Sequence, residues 1–194
     1  MLGDFISNFN WIDILMLIII VRMVYVGMNS SLLVEFFALI GSLCAVFITL
    51  HYFIRFAKFL HETIFIPELI NEIFAALLLW LSVHIIFKLI IAGWSLILKV
   101  EAHPIFDKWG GGILALGRSA FVCSLLFFFL IISGNEYVHK MVKRSFTGFY
   151  LVDIAPYTYR GIYDGLVVKY FPTEPLNGQV PILNPPDPDR EKNE

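Results

Sequence analysis

Residues 11–54 read WIDILMLIIIVRMVYVGMNSSLLVEFFALIGSLCAVFITLHYFI, and this stretch decides the fold. Two long apolar runs, 11–28 and 32–54, are separated only by Asn29-Ser30-Ser31. A helix takes about 20 apolar residues to cross roughly 30 Å of hydrocarbon, and each run is close to that length. Lipid offers no partner to backbone N–H and C=O groups, so a segment that crosses it satisfies them internally, as a helix. So short a connection forces the two runs into an antiparallel hairpin.

Two more runs of the same kind follow, at 70–98 and 111–133. Trp11, Tyr25, Tyr52, Trp94, Trp109 and Tyr137 lie near run ends, where amphipathic rings favour the membrane interface. The composition agrees. Of 194 residues, 58% are hydrophobic and 15% charged, with a mean hydropathy of +0.77. A soluble domain is roughly 45–50% apolar and about 25% charged, and a chain this short exposes too much surface to hide the excess. The reading is an all-α membrane protein of four transmembrane helices, with the lipid bilayer as its first partner. Met1 to Asn10 carry no Lys or Arg, so no cleavable signal peptide is expected. A net charge of −2 gives no footprint for nucleic acid.

The connections differ in kind. Residues 55–69 carry Arg55, Lys58, His61, Glu62 and Glu68 and read as an amphipathic stretch at the surface, ended by Pro67. Residues 99–110 hold Pro104 and the polar pair Asp107-Lys108. Beyond the fourth run, 135–171 is an interfacial segment. Tyr159, Ile162, Tyr163, Leu166, Val167 and Tyr170 recur there at helical spacing opposite Arg160, Asp164 and Lys169, which predicts an amphipathic helix with Pro156 in its first turn. In 172–194 prolines and charges dominate, predicting a disordered tail.

Ionisable groups at the centre of a lipid-embedded helix cost roughly 2.5–3.5 kcal/mol each on insertion scales, so those present need a reason. Arg22 and Glu35 lie at matching depths, about 8–10 Å either side of the hairpin turn at 1.5 Å per residue. They are expected to pair, unless Arg22 snorkels to the headgroups and Glu35 serves its helix start. Lys88 and Arg118 flank the third connection at similar distances. That connection and the hairpin turn share one side of the membrane, so Arg22, Glu35, Lys88 and Arg118 gather at one level. There they form an anion-binding or solute-lining patch, or simply a structural one. Asp13 and Asp107 sit near helix starts, where a carboxylate meets bare N–H groups and the positive end of the helix dipole. Gly111, Ala115, Ser119 and Cys123 recur every four residues as a small-residue stripe for close helix packing; Ala38, Gly41, Ser42 and Ala45 give the second helix a similar face.

Chemistry-bearing sets are absent from the sequence pattern. Cys44 and Cys123 lie inside apolar runs and read as small buried residues. The histidines lack metal-ligand spacing, Gly110 to Gly112 lack the Lys-Ser/Thr sequel of a phosphate loop, and no nucleophile set is evident. No enzyme activity, cofactor or metal is expected.

Asn10-Trp11-Ile12-Asp13, Gly27, Glu35, Asp107-Lys108-Trp109-Gly110-Gly111-Gly112 and Arg118, in this order, resemble the colicin V production protein (CvpA) family of bacterial inner-membrane proteins. The likeness covers roughly residues 10–135. Met28-Asn29-Ser30-Ser31 departs from the basic, glycine-containing turn usual in the family, and Ala115 stands where the family often has glycine. The resemblance implies a place in the bacterial inner membrane and an accessory role in colicin V (toxin) production or export. The partner would be an export or envelope protein, or a second copy of the chain. The alternative from the residues is a small oligomeric channel or transporter using the intramembrane charges. Arg55, Lys58, Lys140, Lys143 and Arg144 on one side outnumber Lys99 and Lys108 on the other, which by the positive-inside rule puts both termini in the cytoplasm.

Overall fold

The computed structural model describes residues 10–63, 68–97, 104–178 and 180. Four long helices dominate: α1 (Trp11–Met28), α2 (Leu32–Thr63), α3 (Glu68–Ile97) and α4 (Pro104–Ile132). All four are long and apolar enough to cross a membrane, with mean hydropathies of 2.1 to 2.3 in their best windows. The described residues contain no strand. The chain is an all-α, multi-pass membrane protein.

Two helices outrun their apolar runs. α2 continues to Thr63, so Arg55 to Glu62 extend the second helix and do not form a separate surface stretch; Pro67 lies outside the described residues. α4 begins at Pro104, not at residue 111, and Asp107 and Lys108 are helical. α2 has 32 residues, about 48 Å at 1.5 Å per residue, well beyond roughly 30 Å of hydrocarbon. The overhang needs no apolar residues, which is why hydropathy alone stops short of it.

The packing order is α1, α4, α2, α3: α4 lies between the two helices of the hairpin, and α3 packs along α2. One cluster joins Val46, Leu50 and Phe53 of α2, Ala76 of α3, and Leu125 and Phe128 of α4. A second joins Ile12 and Met16 of α1 to Cys123 and Phe127 of α4.

The interfacial segment opens with two short helices, α5 (Glu136–Arg144) and α6 (Phe146–Leu151), and the predicted amphipathic helix follows as α7 (Ile154–Ile162), with Pro156 in its first turn; it widens into a π-helical turn over Tyr163–Val167 and ends as α8 (Val168–Tyr170). They close the end of the bundle where α1 starts and α4 finishes. Asn10 caps α1, with Asp13 completing the capping box. Ser124 of α4, fully buried, accepts from Ala155 N–H at 2.7 Å and donates to the Val152 carbonyl at 3.0 Å, which fixes the α6–α7 junction on the bundle.

The predicted disorder of 172–194 is corrected in its first part; residues 181–194 lie outside the described residues. Residues 172–178 and Val180 fold back as a strap over α2 and α7. Val180 is buried in the α2–α4–α7 core. The Asn177 side chain donates to the Leu50 carbonyl at 2.6 Å, and its backbone N–H donates to the Tyr159 hydroxyl at 3.0 Å. That leaves the phenol proton for His51 Nδ1, 3.0 Å away. Burial raises the Tyr159 pKa above its ordinary 10.0, so the phenol remains a donor near neutral pH. His51 Nε2 faces Glu174 at 3.5 Å, and Arg55 grips the same carboxylate at 2.8 Å. Tyr163 donates to the Glu174 carbonyl at 2.5 Å.

The hydrogen-bonded Arg55 guanidinium holds the Glu174 carboxyl below its ordinary value of 4.5. A depressed pKa means the contact is complete above that value and lost as pH falls through the lowered one. The Asn177 amide should therefore be protected from hydrogen exchange at pH 7. Protection, corrected for intrinsic exchange, should fall as the pH drops below 4.5 and through the lowered Glu174 value, and at neutral pH in Glu174→Gln and Tyr159→Phe. Unchanged protection in both variants would show that neither the Glu174 carboxylate nor the Tyr159 hydroxyl holds the strap.

Candidate functional site

At the hairpin end, α1 and α4 approach until their backbones touch. A Cβ on Gly27 would collide with the Ala115 side chain, and one on Gly111 would collide with the Gly27 carbonyl. Gly110 faces the Leu32 side chain just as closely, and Gly112 faces that of Met28 with somewhat more room. Gly111, Ala115, Ser119 and Cys123 are all buried, so the small-residue stripe packs within the chain. On the far side of α2, Gly41 leaves the space that the Phe87 ring fills.

This approach places the charges. α4 brings Arg118 to Glu35, Nη2 to Oε2 at 3.2 Å. Glu35 is 1% exposed and the Arg118 side chain 16%, so the pair lies inside the bundle. The Glu35 carboxyl carbon lies 3.4 Å from where a Gly27 Cβ would stand; any side chain at position 27 would press on the pair. Arg22 is exposed on α1, and the expected Arg22–Glu35 pair is replaced by Arg118–Glu35. The reason is the wedge: with α4 between α1 and α2, equal depth does not bring Arg22 and Glu35 together.

Asp107 also works across the fold. Its carboxylate accepts from Leu32 N–H at 2.9 Å and so caps α2, a different helix from its own. At the opposite end Asp13, fully buried, accepts from Asn10 N–H at 2.9 Å, Ser145 Oγ at 2.7 Å, Thr147 N–H at 2.7 Å and Thr147 Oγ1 at 2.6 Å. The two aspartates are therefore clasps, each tying one helix to the start of another.

Glu35 and Arg118 form part of the wall of a cavity of about 310 Å³ between α2, α3 and α4. Lys88 and His84 of α3 line it too, among apolar neighbours such as Val34, Phe87 and Ile91. His84 lies against Trp80, ring centroids 5.0 Å apart. Of the four charges expected at one level, three meet here and Arg22 does not. His84 was legible only as a residue sharing a face with Lys88, since nothing in the sequence says that this face meets Arg118. The described residues hold no group of three or more His, Cys, Asp or Glu arranged for a metal ion.

Removing one member of a buried pair strands the other charge, at a cost of about 3–5 kcal/mol. Glu35→Ala and Arg118→Ala should each destabilise strongly in denaturant titrations of the detergent-solubilised protein. The double variant should fall short of the sum by at least about 1 kcal/mol. Arg22→Ala should shift stability by no more than about 0.5 kcal/mol and add to Glu35→Ala. Additivity at Glu35 and Arg118 would mean that the contact carries no coupling.

No curated protein and no solved structure matches the chain. A family model does, that of the colicin V production protein, over residues 12–156. The matched region takes in all four long helices, both aspartate clasps, the Gly27–Gly111 approach and the Glu35–Arg118 pair, so the chain belongs to the colicin V production protein family.

Proposed function

We propose that the protein acts as an accessory component of toxin production or export in the bacterial inner membrane, contacting export or envelope proteins through its outer faces. Family membership supplies the link to colicin V production. The observation that carries the accessory role is the filled interior. Along α2 and α4 from the charged cavity, Val46, Leu50, Phe53, Leu125 and Phe128 are packed and buried, which favours contacts on the outside over passage through one copy. The short C-terminal helices offer such a surface, with Phe149 and Tyr150 exposed beside exposed Lys140, Lys143 and Arg144.

A small oligomeric channel or transporter is the second reading, favoured by the cavity that Glu35, Lys88 and Arg118 line. The two readings part in two experiments. In-membrane photo-crosslinking from position 149 or 150 should capture export or envelope proteins if the accessory role holds. Protein reconstituted in liposomes should then pass no ions or solutes above empty vesicles. Flux that falls in Lys88→Ala or Arg118→Ala would overturn the accessory reading in favour of the channel.

We further infer that both termini face the cytoplasm. Arg55, Lys58, Lys140, Lys143 and Arg144 are all exposed on segments at the end away from the hairpin, and basic residues with aromatic neighbours suit the cytoplasmic leaflet. A cysteine placed at position 30 should react with a membrane-impermeant maleimide from the outer face of intact cells lacking an outer-membrane barrier, and one at 190 should not. The opposite pattern would invert the topology.

A further inference from the structure

We propose that the cavity between α2, α3 and α4 binds one phosphate-type oxyanion, in the form of a phosphodiester carrying an apolar tail. The inference begins with charge. Glu35 and Arg118 neutralise each other at 3.2 Å. Lys88 lines the same cavity and forms no ion pair among the described residues. Glu35 is the one acid in the lining against the two fixed cations Arg118 and Lys88, so these fixed charges leave one positive charge in excess. In a membrane-spanning bundle such an excess is costly unless a counter-charge joins it.

Next comes hydrogen bonding. A guanidinium presents its donors as a flat fork that fits two oxygens of one oxyanion. The Glu35 carboxylate meets Arg118 through Nη2, while Nε is buried with no hydrogen-bond acceptor. His84 Nδ1 is buried without a hydrogen-bond partner as well, and Glu35 Oε2, though 3.2 Å from Nη2, completes no hydrogen bond. The bundle thus leaves the Arg118 Nε–H without an acceptor beside the cavity, and a small rotation of Arg118 would offer it to an oxyanion.

Size and shape narrow the ligand. About 310 Å³ is at the small end of ligand pockets, which run about 300–1,000 Å³, and suits a headgroup, not a folded cofactor. Phe87 and Ile91 provide apolar wall beside the charges, and Lys88 at the rim is exposed. A tail could therefore leave past the exposed Lys88. Glu35 sets the charge: beside a fixed carboxylate, a single excess positive charge matches a monoanion better than a dianion. A phosphodiester is a monoanion at neutral pH, whereas free phosphate and phosphomonoesters approach a charge of −2. The same balance disfavours a zwitterionic headgroup, whose cation would meet Lys88.

The shared chemistry is a phosphate oxyanion, and its two sources are a membrane lipid and a free anion. The test uses the full chain purified in a maltoside detergent, with binding read by native mass spectrometry. It is titrated separately with phosphatidylglycerol, with phosphatidylcholine of the same chains and with inorganic phosphate. One phosphatidylglycerol should be retained per chain, at least about tenfold more tightly than phosphatidylcholine. Lys88→Gln, at an exposed position, should fold normally and lose about that tenfold preference. Arg118→Lys, which keeps the charge and loses the fork, should weaken retention as well. Lys108→Gln, an exposed cation outside the cavity, should leave it unchanged. Inorganic phosphate that displaces the lipid at comparable concentration would overturn the lipid source while keeping the oxyanion site. Equal retention of both lipids, with Lys88→Gln and Arg118→Lys binding like the parent chain, would overturn the site itself.

Discussion

The structure depends on how closely α1 and α4 approach at Gly27 and Gly111. Lipid tails are as apolar as leucine, so burying apolar surface does not drive helices together inside a bilayer; packing and hydrogen bonding do. Close packing requires that nothing stand between the backbones, and any Cβ at either glycine would collide with the facing helix. With α1 pressed against it, α4 also meets α2 on its other side. That double contact puts Arg118 beside Glu35 and Asp107 beside the start of α2. Had α1 and α2 packed on each other, as a tight hairpin of two helices would, both contacts would be missing.

A second constraint concerns the ends of helices. Each helix leaves its first N–H groups without intrahelical partners, and a buried polar group without a partner costs about as much as a lost hydrogen bond or more. This chain answers from elsewhere in the fold. Asp107 of α4 caps α2, Asp13 of α1 takes the Thr147 N–H in the first turn of α6, and Ser124 of α4 takes Ala155 N–H in the first turn of α7. In each case the polar side chain is the partner that another helix needs at its start.

The four long helices were legible because hydropathy over about 20 residues is a direct consequence of the medium. Their full lengths were not, because a helix that leaves the bilayer no longer needs apolar residues; hence Asp107 read as part of a connection. The stripe from Gly111 to Cys123 was legible as a packing face, since small residues at every fourth position have few other uses in lipid. Which helix meets it was not. Counting residues from a turn gives depth, and depth alone suggested Arg22 for Glu35; the neighbour around the helix axis depends on the order of all four helices. The strap was misread for a different reason. Pro172, Pro175 and Glu174 lower the local hydrophobicity, and composition predicts disorder. But Glu174 and Asn177 find Arg55 and the Leu50 carbonyl 119 and 127 residues earlier in the chain, and no local property records such a distance.

These contacts also bear on the order of assembly. The α1–α2 hairpin by itself would hold Glu35 with no counter-charge, leave Leu32 N–H uncapped and expose the Gly27 groove. Each deficit is removed by α4, and by no other helix. α4 in turn carries Ser124, and through it the α6–α7 junction, and α1 carries the Asp13 that holds Ser145 and Thr147. So the bundle is not built by adding one finished hairpin to another. Its first two helices are completed by the fourth, and the C-terminal helices can settle only on the surface that α1 and α4 form together. The strap comes last, since its partners Tyr159, His51 and Arg55 are brought together only once α7 has docked on α2. It also lies beyond the region matched by the family model, which ends at residue 156. The order of dependence thus runs from the glycine contact outward, and the family match covers it as far as the start of α7.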